Sequence, residues 1–402
     1  MPRWRWTDAL LVGVALSWAT PHAWAFQTPP AAPAASADGH TPRLIPRTPA
    51  EREQRFLTQH RIILNVHVSD ASGKPYHALN QGDFTVYDNA QARNLVTFRS
   101  IEGGAGGAHV ILVLDAVNNF TKQVHNFEKE VERYLKEGDE PLPLPVSIGI
   151  FSGYSGYRID AGEPSRDRSA LLAELKSRAA DLRATGCITQ QNRPANMIGP
   201  YTAGALGSVR NYSPQELTCK NDRFVQSVSA LSEFARKEVD VPGRVILVWL
   251  GPGWPMLTEK GFTPDPPELK RNFFERLVSL STALREAQVT VDAVDSPDES
   301  IDPQTPGIHD YEFFDGISSE DQVSAAHMGL HPLAHQTGGE IFAETRDVAG
   351  QIRECMADAE SYYVLTFDSP PAADFGEYHA LAVKVDKPGL DVRTNTLYYA
   401  EQ

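Results

Sequence analysis

Three histidines in the C-terminal third of the chain have the spacing of a metal site. His327, His331 and His335 follow one another at intervals of four residues, which places them on one face if the segment is helical. Imidazoles in such a row can bind Zn²⁺. No acidic residue completes a His-Glu-x-x-His pattern, however, and Pro332 disturbs and kinks the predicted helix. We therefore interpret these histidines as surface or partly packed side chains.

The cysteines indicate one disulfide and one free thiol. The chain has 3 cysteines, and in an oxidising compartment an odd count is typical of one pair plus one buried thiol. Cys187 and Cys219 lie in a stretch rich in Gly, Asn, Pro and Thr without a helical period, whereas Cys355 lies in a helical pattern. We predict a Cys187–Cys219 disulfide, which would stabilise the fold by about 3–4 kcal/mol, and a buried Cys355. No neighbouring residue indicates an activated thiol.

One serine has a partial match to a catalytic motif. Ser155 lies in Gly153–Tyr–Ser–Gly–Tyr157, but the second glycine of the nucleophile elbow is displaced and the segment leads into a strand, not a helix. We therefore interpret Ser155 as a hairpin residue. No strand is followed by a phosphate-binding loop, so the sequence also does not support nucleotide binding.

A tryptophan follows a predicted core strand at a place where α/β proteins bind ligands. The strand Arg244–Leu250 leads into Gly251 and then into Pro252–Met256, which contains Trp254. Ligand sites in α/β folds lie at the carboxyl ends of such strands. Trp254 can be an exposed aromatic anchor for a partner, or it can fold back and cover the sheet. The sequence leaves both alternatives open.

The hydrophobic pattern predicts the elements that would position these residues. A continuous apolar run, typical of a strand buried on both faces, occurs at His109–Asp115, and further strands are predicted at Val146–Phe151, Arg244–Leu250, Val289–Val294 and Gly339–Ala343. Helical stripes alternate with them around residues 120–134, 171–182, 224–234, 273–284 and 348–360. Alternation of strand and helix predicts a doubly wound, mostly parallel α/β domain over residues 107–359.

Two β segments flank this domain. Alternating patterns predict strands at Arg61–Val68, Phe84–Tyr87 and Leu95–Phe98 within residues 56–103, and at Tyr362–Phe367, His379–Val385 and Val392–Tyr398 within residues 360–402. Because the two ends of a domain are often close in space, we expect the segments to pair into one β sandwich.

The N-terminus predicts export. Arg3 and Arg5 precede an apolar stretch at 9–16, and Ala23–Trp–Ala25 has the small-x-small pattern of a signal-peptidase site. The stretch is shorter than the roughly 20 residues that span a bilayer. We predict a signal peptide at 1–25, a flexible Pro/Ala-rich linker at 26–55, no transmembrane segment, and a secreted or periplasmic (cell-envelope) location.

The charge balance excludes two classes of partner. The chain carries 37 Lys and Arg against 52 Asp and Glu, a net charge of −15. Binding to nucleic acid or to an anionic membrane surface requires a cationic face. We therefore expect neither partner.

Several short motifs occur in a characteristic order. They are Asn80–Gln–Gly–Asp–Phe–Thr–Val–Tyr–Asp–Asn89, Val113–Leu–Asp115, Leu333–Ala–His–Gln–Thr–Gly–Gly339, Tyr362–Tyr–Val–Leu365 and Val392–Arg393. In this order, behind a signal peptide, they resemble a von Willebrand factor type A (VWFA) domain, and more closely the VWFA-related family of secreted acidobacterial proteins. The resemblance spans roughly residues 56–400.

The resemblance implies a divalent-metal site at the carboxyl ends of the core strands, built from Asp-x-Ser-x-Ser, a distant Thr and a distant Asp. Asp115 matches the first position, but Val117 and Asn119 replace the two serines, and Gly251 stands where many relatives carry Asp-Gly. Thr202 is the candidate threonine. One carboxylate and one amide make a poor cage for Mg²⁺ or another divalent cation. We interpret Asp115 and Asn119 as a degenerate metal site, with Asp115 capping the loop below it.

The predicted function is an exported, non-enzymatic protein-interaction or adhesion module whose protein partner the sequence does not name. The expected recognition surface comprises the loop after Asp115, including Asn118, the Cys187–Cys219 loop, including Thr202, and the loop that carries Trp254. Two alternatives stay open. One is an exported hydrolase with its site in the 187–219 loop, for which no nucleophile and base are evident; the other is a ligand-free envelope scaffold.

Overall fold

The apolar runs of the sequence form strands in the computed structural model. The structure describes residues 60–138, 140–183, 214–239, 241, 243–254, 267–295, 310–342 and 346–400. The strands are β1 Arg61–Asp70, β2 Phe84–Asp88, β3 Gln91–Arg93, β4 Thr97–Ile101, β5 His109–Asp115, β6 Val146–Ser152, β7 Arg158–Ala161, β8 Val245–Leu250, β9 Val289–Val294, β10 Ile341–Phe342, β11 Tyr362–Asp368, β12 Glu377–Val385, β13 Leu390–Arg393 and β14 Leu397–Ala400. The helices are α1 Thr121–Lys136, α2 Arg168–Ser177, α3 Pro214–Glu238, α4 Pro267–Glu286, α5 Leu330–Gln336 and α6 Val348–Glu360.

The central sheet has six strands in the order β7-β6-β5-β8-β9-β10. Strands β6, β5, β8, β9 and β10 are parallel, and β7 pairs antiparallel with β6 at one edge. In order of occurrence along the chain, the strands of this sheet read 3-2-1-4-5-6 from that edge, which is the doubly wound arrangement. The predicted fold class is confirmed.

Helices cover both faces of this sheet, which explains why its strands are apolar throughout. Helices α1, α2 and α6 pack on one face through buried residues such as Phe127, Leu175 and Ile352. Helices α3, α4 and α5 pack on the other through residues such as Leu231 and Leu277. Burying each large apolar side chain contributes about 1.5–3 kcal/mol.

The N- and C-terminal β segments pair with each other, as expected. They form two four-stranded sheets, β13-β1-β11-β4 and β14-β12-β2-β3, in which N-terminal β1 lies between C-terminal β11 and β13. Residues from both sheets, including Leu64, Val86, Leu365 and Tyr398, share one hydrophobic core. The two segments therefore make one β sandwich. All described residues belong to one compact unit, Glu53–Gln402.

A buried polar cluster fixes the register inside the sandwich. Asp88 of β2 bonds the Nδ1 atom of His379 on β12 at 2.6 Å and accepts a hydrogen bond from the hydroxyl of Tyr398 on β14 at 3.2 Å. Arg93 pairs with the same carboxylate at 2.8 Å. Desolvation raises the pKa of Asp88, but these partners outweigh it and hold the pKa below its usual value. A one-residue slip would leave these polar groups unpaired in the core.

The C-terminal segment differs from the prediction of one strand at Val392–Tyr398. It forms β13 and β14, which belong to different sheets, and the chain crosses between them at residues 394–396. At the crossing the amide of Thr396 donates to the carbonyl of Gln336 at 3.2 Å. A Cβ atom on Gly338 would lie 2.5 Å from the carbonyl carbon of Thr394. This close approach to the end of α5 draws the chain from one sheet to the other.

The predicted kinked helix around Pro332 is also wrong. Short 3₁₀ turns occupy Glu320–Gln322 and Ala325–Met328, and α5 begins only at Leu330. Pro332 thus lies in the first turn of α5, where a missing N–H is tolerated.

The cysteine predictions have three outcomes. Cys219 lies inside α3, which begins at Pro214, and not in an irregular loop as predicted. Cys355 of α6 is buried and free, as predicted. Cys187 lies outside the described residues, so the Cys187–Cys219 disulfide stays a prediction.

The predicted signal peptide and linker also lie outside the described residues. Within the described part of the chain, none of the helices combines the length and the apolar character needed to cross a membrane.

Candidate functional site

The candidate site lies where the direction of winding reverses. Strands β5 and β8 are neighbours in the sheet, but β5 leads to α1 on one face and β8 leads to α4 on the other. In doubly wound folds, ligands bind in the crevice that this reversal opens at the carboxyl ends of the strands. Asp115 ends β5 and Gly251 follows β8 at this place. We call this side of the sheet the carboxyl edge.

Asp115 is saturated with hydrogen bonds. Its Oδ1 atom accepts from the amides of Val117 at 2.9 Å and Asn118 at 2.8 Å. Its Oδ2 atom accepts from Nδ2 of Asn118 at 2.8 Å and from Nε1 of Trp249 at 3.0 Å. Only 1% of the residue is exposed, and this burial raises the pKa of Asp115 against the opposing effect of the donors. The carboxylate closes the loop after β5, in agreement with the predicted capping role.

The two asparagines join this loop to neighbouring elements. Asn119 donates from Nδ2 to the carbonyl of Asp115 at 2.8 Å and to that of Leu250 at 3.4 Å. A Cβ atom on Gly251 would lie 2.4 Å from this nitrogen, so the approach requires glycine. Asn118 also donates from Nδ2 to Oγ of Ser227 on α3 at 3.1 Å. Thr202 lies outside the described residues.

These residues do not fit a divalent cation. A carboxylate offers about four lone-pair positions, and N–H groups occupy all four on Asp115. The side chain of Val117 has no atom that could bind a metal. The amide nitrogen of Asn119 donates to main-chain carbonyls. The amide oxygens of Asn118 and Asn119 are buried and have no hydrogen-bond partner among the described residues, and no free carboxylate in that part of the chain accompanies them. Over the described residues, no group of three or more His, Cys, Asp or Glu side chains could hold a metal.

Trp249 is one of the site residues that the sequence pattern does not indicate. It lies within the apolar strand β8, where the sequence pattern indicates only a core residue. A buried indole needs an acceptor for its N–H group, and that requirement could have indicated a buried acceptor nearby. Which acceptor it finds depends on the pairing of β5 with β8, and the sequence pattern does not determine it.

Trp254 is not an exposed anchor. Only 4% of the residue is exposed, its Nε1 atom donates to the carbonyl of Met328 at 2.7 Å, and its ring meets that of Trp249 edge-on at 5.4 Å. The structure therefore selects the second alternative, in which Trp254 folds back and covers the sheet.

The three histidines are not gathered into a metal site. The ring of His327 packs edge-on against Phe313 at 5.2 Å, and the ring of His335 stacks on Phe314 at 4.6 Å. Burial lowers the pKa of both imidazoles. They act as packed side chains, in agreement with the interpretation from the sequence.

Two exposed tyrosines lie in the hairpin between β6 and β7 at the carboxyl edge. Tyr154 is 65% exposed and Tyr157 39%. The hydroxyl of Ser155 donates to the carbonyl of Ser152 at 3.1 Å, so Ser155 is a hairpin residue as predicted. The amide of Tyr157 donates to the same carbonyl at 3.1 Å. These bonds hold the two aromatic rings on a tight turn.

Arg223 of α3 lies near this hairpin. It is half-buried, and burial lowers its pKa against the opposing charge of Asp115. Helix α3 packs against β7, the strand that follows the hairpin. It makes no hydrogen bond and no ion pair to any part of the chain that the structure describes. The sequence pattern does not indicate Arg223, because an arginine in an amphipathic helix is typical of a solvated side chain.

No protein-family model and no curated protein sequence matches this chain. Similar solved structures include an aerotolerance-related membrane protein from Bacteroides fragilis, with 11% identity, a TM-score of 0.31 and coverage of 62% of this chain and 98% of that one. A von Willebrand factor type A protein from Catenulispora acidiphila has 8% identity, a TM-score of 0.30 and coverage of 86% and 75%. Manganese-loaded Plasmodium vivax TRAP has 7% identity, a TM-score of 0.32 and coverage of 78% and 97%.

The fold is type A-like. The strand order and the antiparallel edge strand β7 carry this assignment, because similarities at these TM-scores carry no argument of their own. Membership of the secreted acidobacterial family stays a prediction.

Proposed function

We propose that the protein is a non-enzymatic protein-interaction module that recognises a protein partner with the β6–β7 hairpin at the carboxyl edge, without a divalent cation. The observation that carries the proposal is the exposure of Tyr154 and Tyr157, 65% and 39%, on a turn held by hydrogen bonds. Tyrosine is enriched among the residues that dominate binding energy in protein interfaces. A pre-ordered turn also lowers the entropy cost of binding.

The candidate nucleophiles of the described residues support a non-enzymatic role. The hydroxyl of Ser155 is bonded to its own turn. Burial raises the pKa of the Cys355 thiol well above its usual value, which keeps the thiol unreactive. The hydrolase alternative places its site at 187–219, and no observation on the described residues favours it.

We further propose that the interaction takes place in the cell envelope or outside the cell. The predicted signal peptide at 1–25 supports this location. The net charge of −15 is consistent with a protein partner and unfavourable for nucleic acid.

A site-specific photo-crosslinker tests this function in the organism that carries the gene. A benzophenone amino acid replaces Tyr154 in one variant and Phe375 in another. Phe375 is a matched control because it is also exposed, at 59%, but belongs to the loop between β11 and β12 of the sandwich. We expect a discrete adduct with one protein from position 154, unchanged by EDTA, and none from position 375.

Three outcomes would contradict the proposal. No adduct from position 154 would favour the ligand-free scaffold, and equal adducts from both positions would indicate non-specific proximity. An adduct that EDTA abolishes would show that the interaction depends on a metal.

A further inference from the structure

We propose that Arg223 binds a carboxylate of the partner directly, so that the partner presents an Asp or Glu side chain to the carboxyl edge between Arg223 and the β6–β7 hairpin. This inference rests on the proposed function and names the chemistry of the partner at the same surface. Three features of the structure carry it: the position of Arg223 along α3, the lack of an acceptor for it among the described residues, and the chemistry of its surroundings.

The first feature is position. Helix α3 leads into β8 and lies antiparallel to it, so the N-terminal half of α3 is at the carboxyl edge. The hydrogen bond from Asn118 to Ser227 at 3.1 Å fixes the height of the helix against the loop after β5. Arg223 precedes Ser227 by four residues and shares its face. Its Cα atom therefore lies about 6 Å further toward the rim.

The second feature is the missing acceptor. The half-buried Arg178 pairs with Asp160 at 3.1 Å, and the half-buried Arg393 pairs with Glu340 at 2.8 Å. Arg223 has no such partner among the described residues. Asp115 cannot supply one, because four N–H groups occupy its oxygens. A guanidinium carries five N–H donors, and partial burial removes some of the water that could accept from them. Without an acceptor among the described residues, this group can bind an external anion favourably.

The third feature is the chemistry of the surroundings. The planar fork of a guanidinium matches a carboxylate with two parallel hydrogen bonds. Helix α3 packs against β7, the strand that follows the hairpin, so the tyrosine rings of the hairpin lie on the same side of the carboxyl edge as Arg223 and can pack on apolar neighbours of the acidic residue. The chain as a whole carries −15 and repels acidic ligands at long range. The affinity for an acidic segment must therefore come from attraction to a nearby cationic side chain.

Two matched peptide libraries test the inference. Both consist of acetylated seven-residue peptides with random flanks, one with Glu and the other with Gln at the central position. The full-length protein retains peptides from each library in the presence of EDTA, and sequencing counts them. We expect the protein to retain the Glu library about tenfold or more over the Gln library, since a hydrogen bond to a charged group has roughly this value.

Three variants locate the effect. Arg223→Gln should abolish the preference for Glu, and Arg223→Lys should keep part of it because the charge remains without the fork. Arg276→Gln is the matched control, since Arg276 is exposed on α4 and its replacement changes the net charge equally. Thermal unfolding of each variant shows that it is folded.

Several results would overturn the inference. They are retention of neither library, equal retention of both, or a Glu preference that survives Arg223→Gln in the folded protein. The crosslinking experiment keeps the two proposals apart. An adduct from position 154 that persists in the Arg223→Gln protein overturns the carboxylate contact but leaves the interaction function intact.

Discussion

The buried carboxylate of Asp115 is stabilised by hydrogen bonds from its own loop and from β8. Burial alone raises the pKa of this group, and the donors from Val117, Asn118 and Trp249 oppose that rise. Hydrogen bonds to a charged group contribute about 1.5–3 kcal/mol each. Four N–H groups thus provide the compensation that a divalent cation would otherwise provide.

Tryptophan fluorescence tests whether the site excludes metal ions. A chain expressed from Phe26, the first residue after the predicted signal peptide, contains two tryptophans, Trp249 and Trp254. Mn²⁺ bound at Asp115 would lie beside the indole of Trp249 and quench its emission. We expect no saturable quenching by millimolar Mn²⁺, because no lone pair of Asp115 is free.

The control for this measurement is the Asp115→Asn protein. Any weak quenching from ions on the acidic surface should be the same in both proteins. Saturable quenching that the substitution removes would show that Asp115 binds the metal.

The capping role of Asp115 could be predicted from the sequence, and its saturation could not. A strand-end aspartate commonly accepts from the next amides, and this local pattern was predicted correctly. The bonds from Trp249 and from Asn119 to Leu250 cross between β5 and β8. Such bonds depend on strand register, which local sequence does not contain.

At the scale of elements, the β6–β7 hairpin is a turn whose geometry Gly156 makes possible. Gly156 has a φ of +80°, a conformation that costs an L-residue about 1–2 kcal/mol. Nothing lies within 4 Å of a Cβ atom built on Gly156, so a substitution there would strain the backbone without a steric clash.

We expect Gly156→Ala to lower the free energy of unfolding by about 1 kcal/mol. Gly82→Ala is the matched control, because a Cβ atom there also meets nothing within 4 Å and Gly82 lies in the 3₁₀ turn Gln81–Asp83 without a left-handed φ. That variant should unfold within about 0.5 kcal/mol of the wild type. Urea denaturation measures both. Equal effects would show that backbone strain does not limit the hairpin.

The elements that were predicted correctly depend on local composition, whereas those that were predicted wrongly depend on tertiary contacts. Strands β5, β6, β8 and β9 are mostly apolar and are buried on both faces, so local composition indicates their bounds. The boundary between β13 and β14 depends instead on the contact of Thr396 with Gln336. The start of α5 after the 3₁₀ turns follows the packing of Trp254 on Met328. Both are tertiary contacts that override local pattern.

At the scale of the whole molecule, a charged cluster joins the sandwich to the α/β part. Arg393 of β13 donates to the carbonyl of Gly338 and pairs with Glu340 at 2.8 Å and with Asp358 of α6. Burial raises the pKa of Glu340, and Arg393 opposes the rise. Burial also raises the pKa of Asp292 on β9, and Arg393 again opposes the rise. One arginine of the sandwich thus compensates three carboxylates of the α/β part.

His67 of β1 faces the same junction. Burial, with the charges of Arg244 and Arg393, lowers its pKa well below the usual value. Burial also lowers the pKa of Arg244 to about 10, and its guanidinium lies over the ring of Tyr362 at 4.8 Å. The folded state keeps His67 neutral, so the molecule loses stability as pH falls below the pKa of histidine in the unfolded chain, about 6.5.

Replacing Arg393 by Met should destabilise the protein in a pH-dependent way. At pH 7.5 the substitution removes the cation beside the buried Asp292 and the partly exposed Glu340 and Asp358, which costs less than the roughly 3–5 kcal/mol of a fully buried pair. Without the cation the folded-state pKa values of Glu340 and Asp292 rise further, so the folded variant takes up protons as pH falls and the loss relative to wild type shrinks toward pH 5. Removal of Arg393 also raises the pKa of His67, which acts in the same direction.

Urea denaturation of both proteins at pH 7.5, 6 and 5 measures this difference. Arg61→Met is the matched control, because Arg61 pairs with Asp368 at 2.9 Å on the surface of the same sandwich, with side chains 36% and 54% exposed. Such a pair contributes at most about 1 kcal/mol, and its loss should vary little over this range. A loss for Arg393→Met that stays constant from pH 7.5 to 5 would mean that the arginine stabilises the junction by packing, and that the carboxylates around it find water or other partners once it is gone.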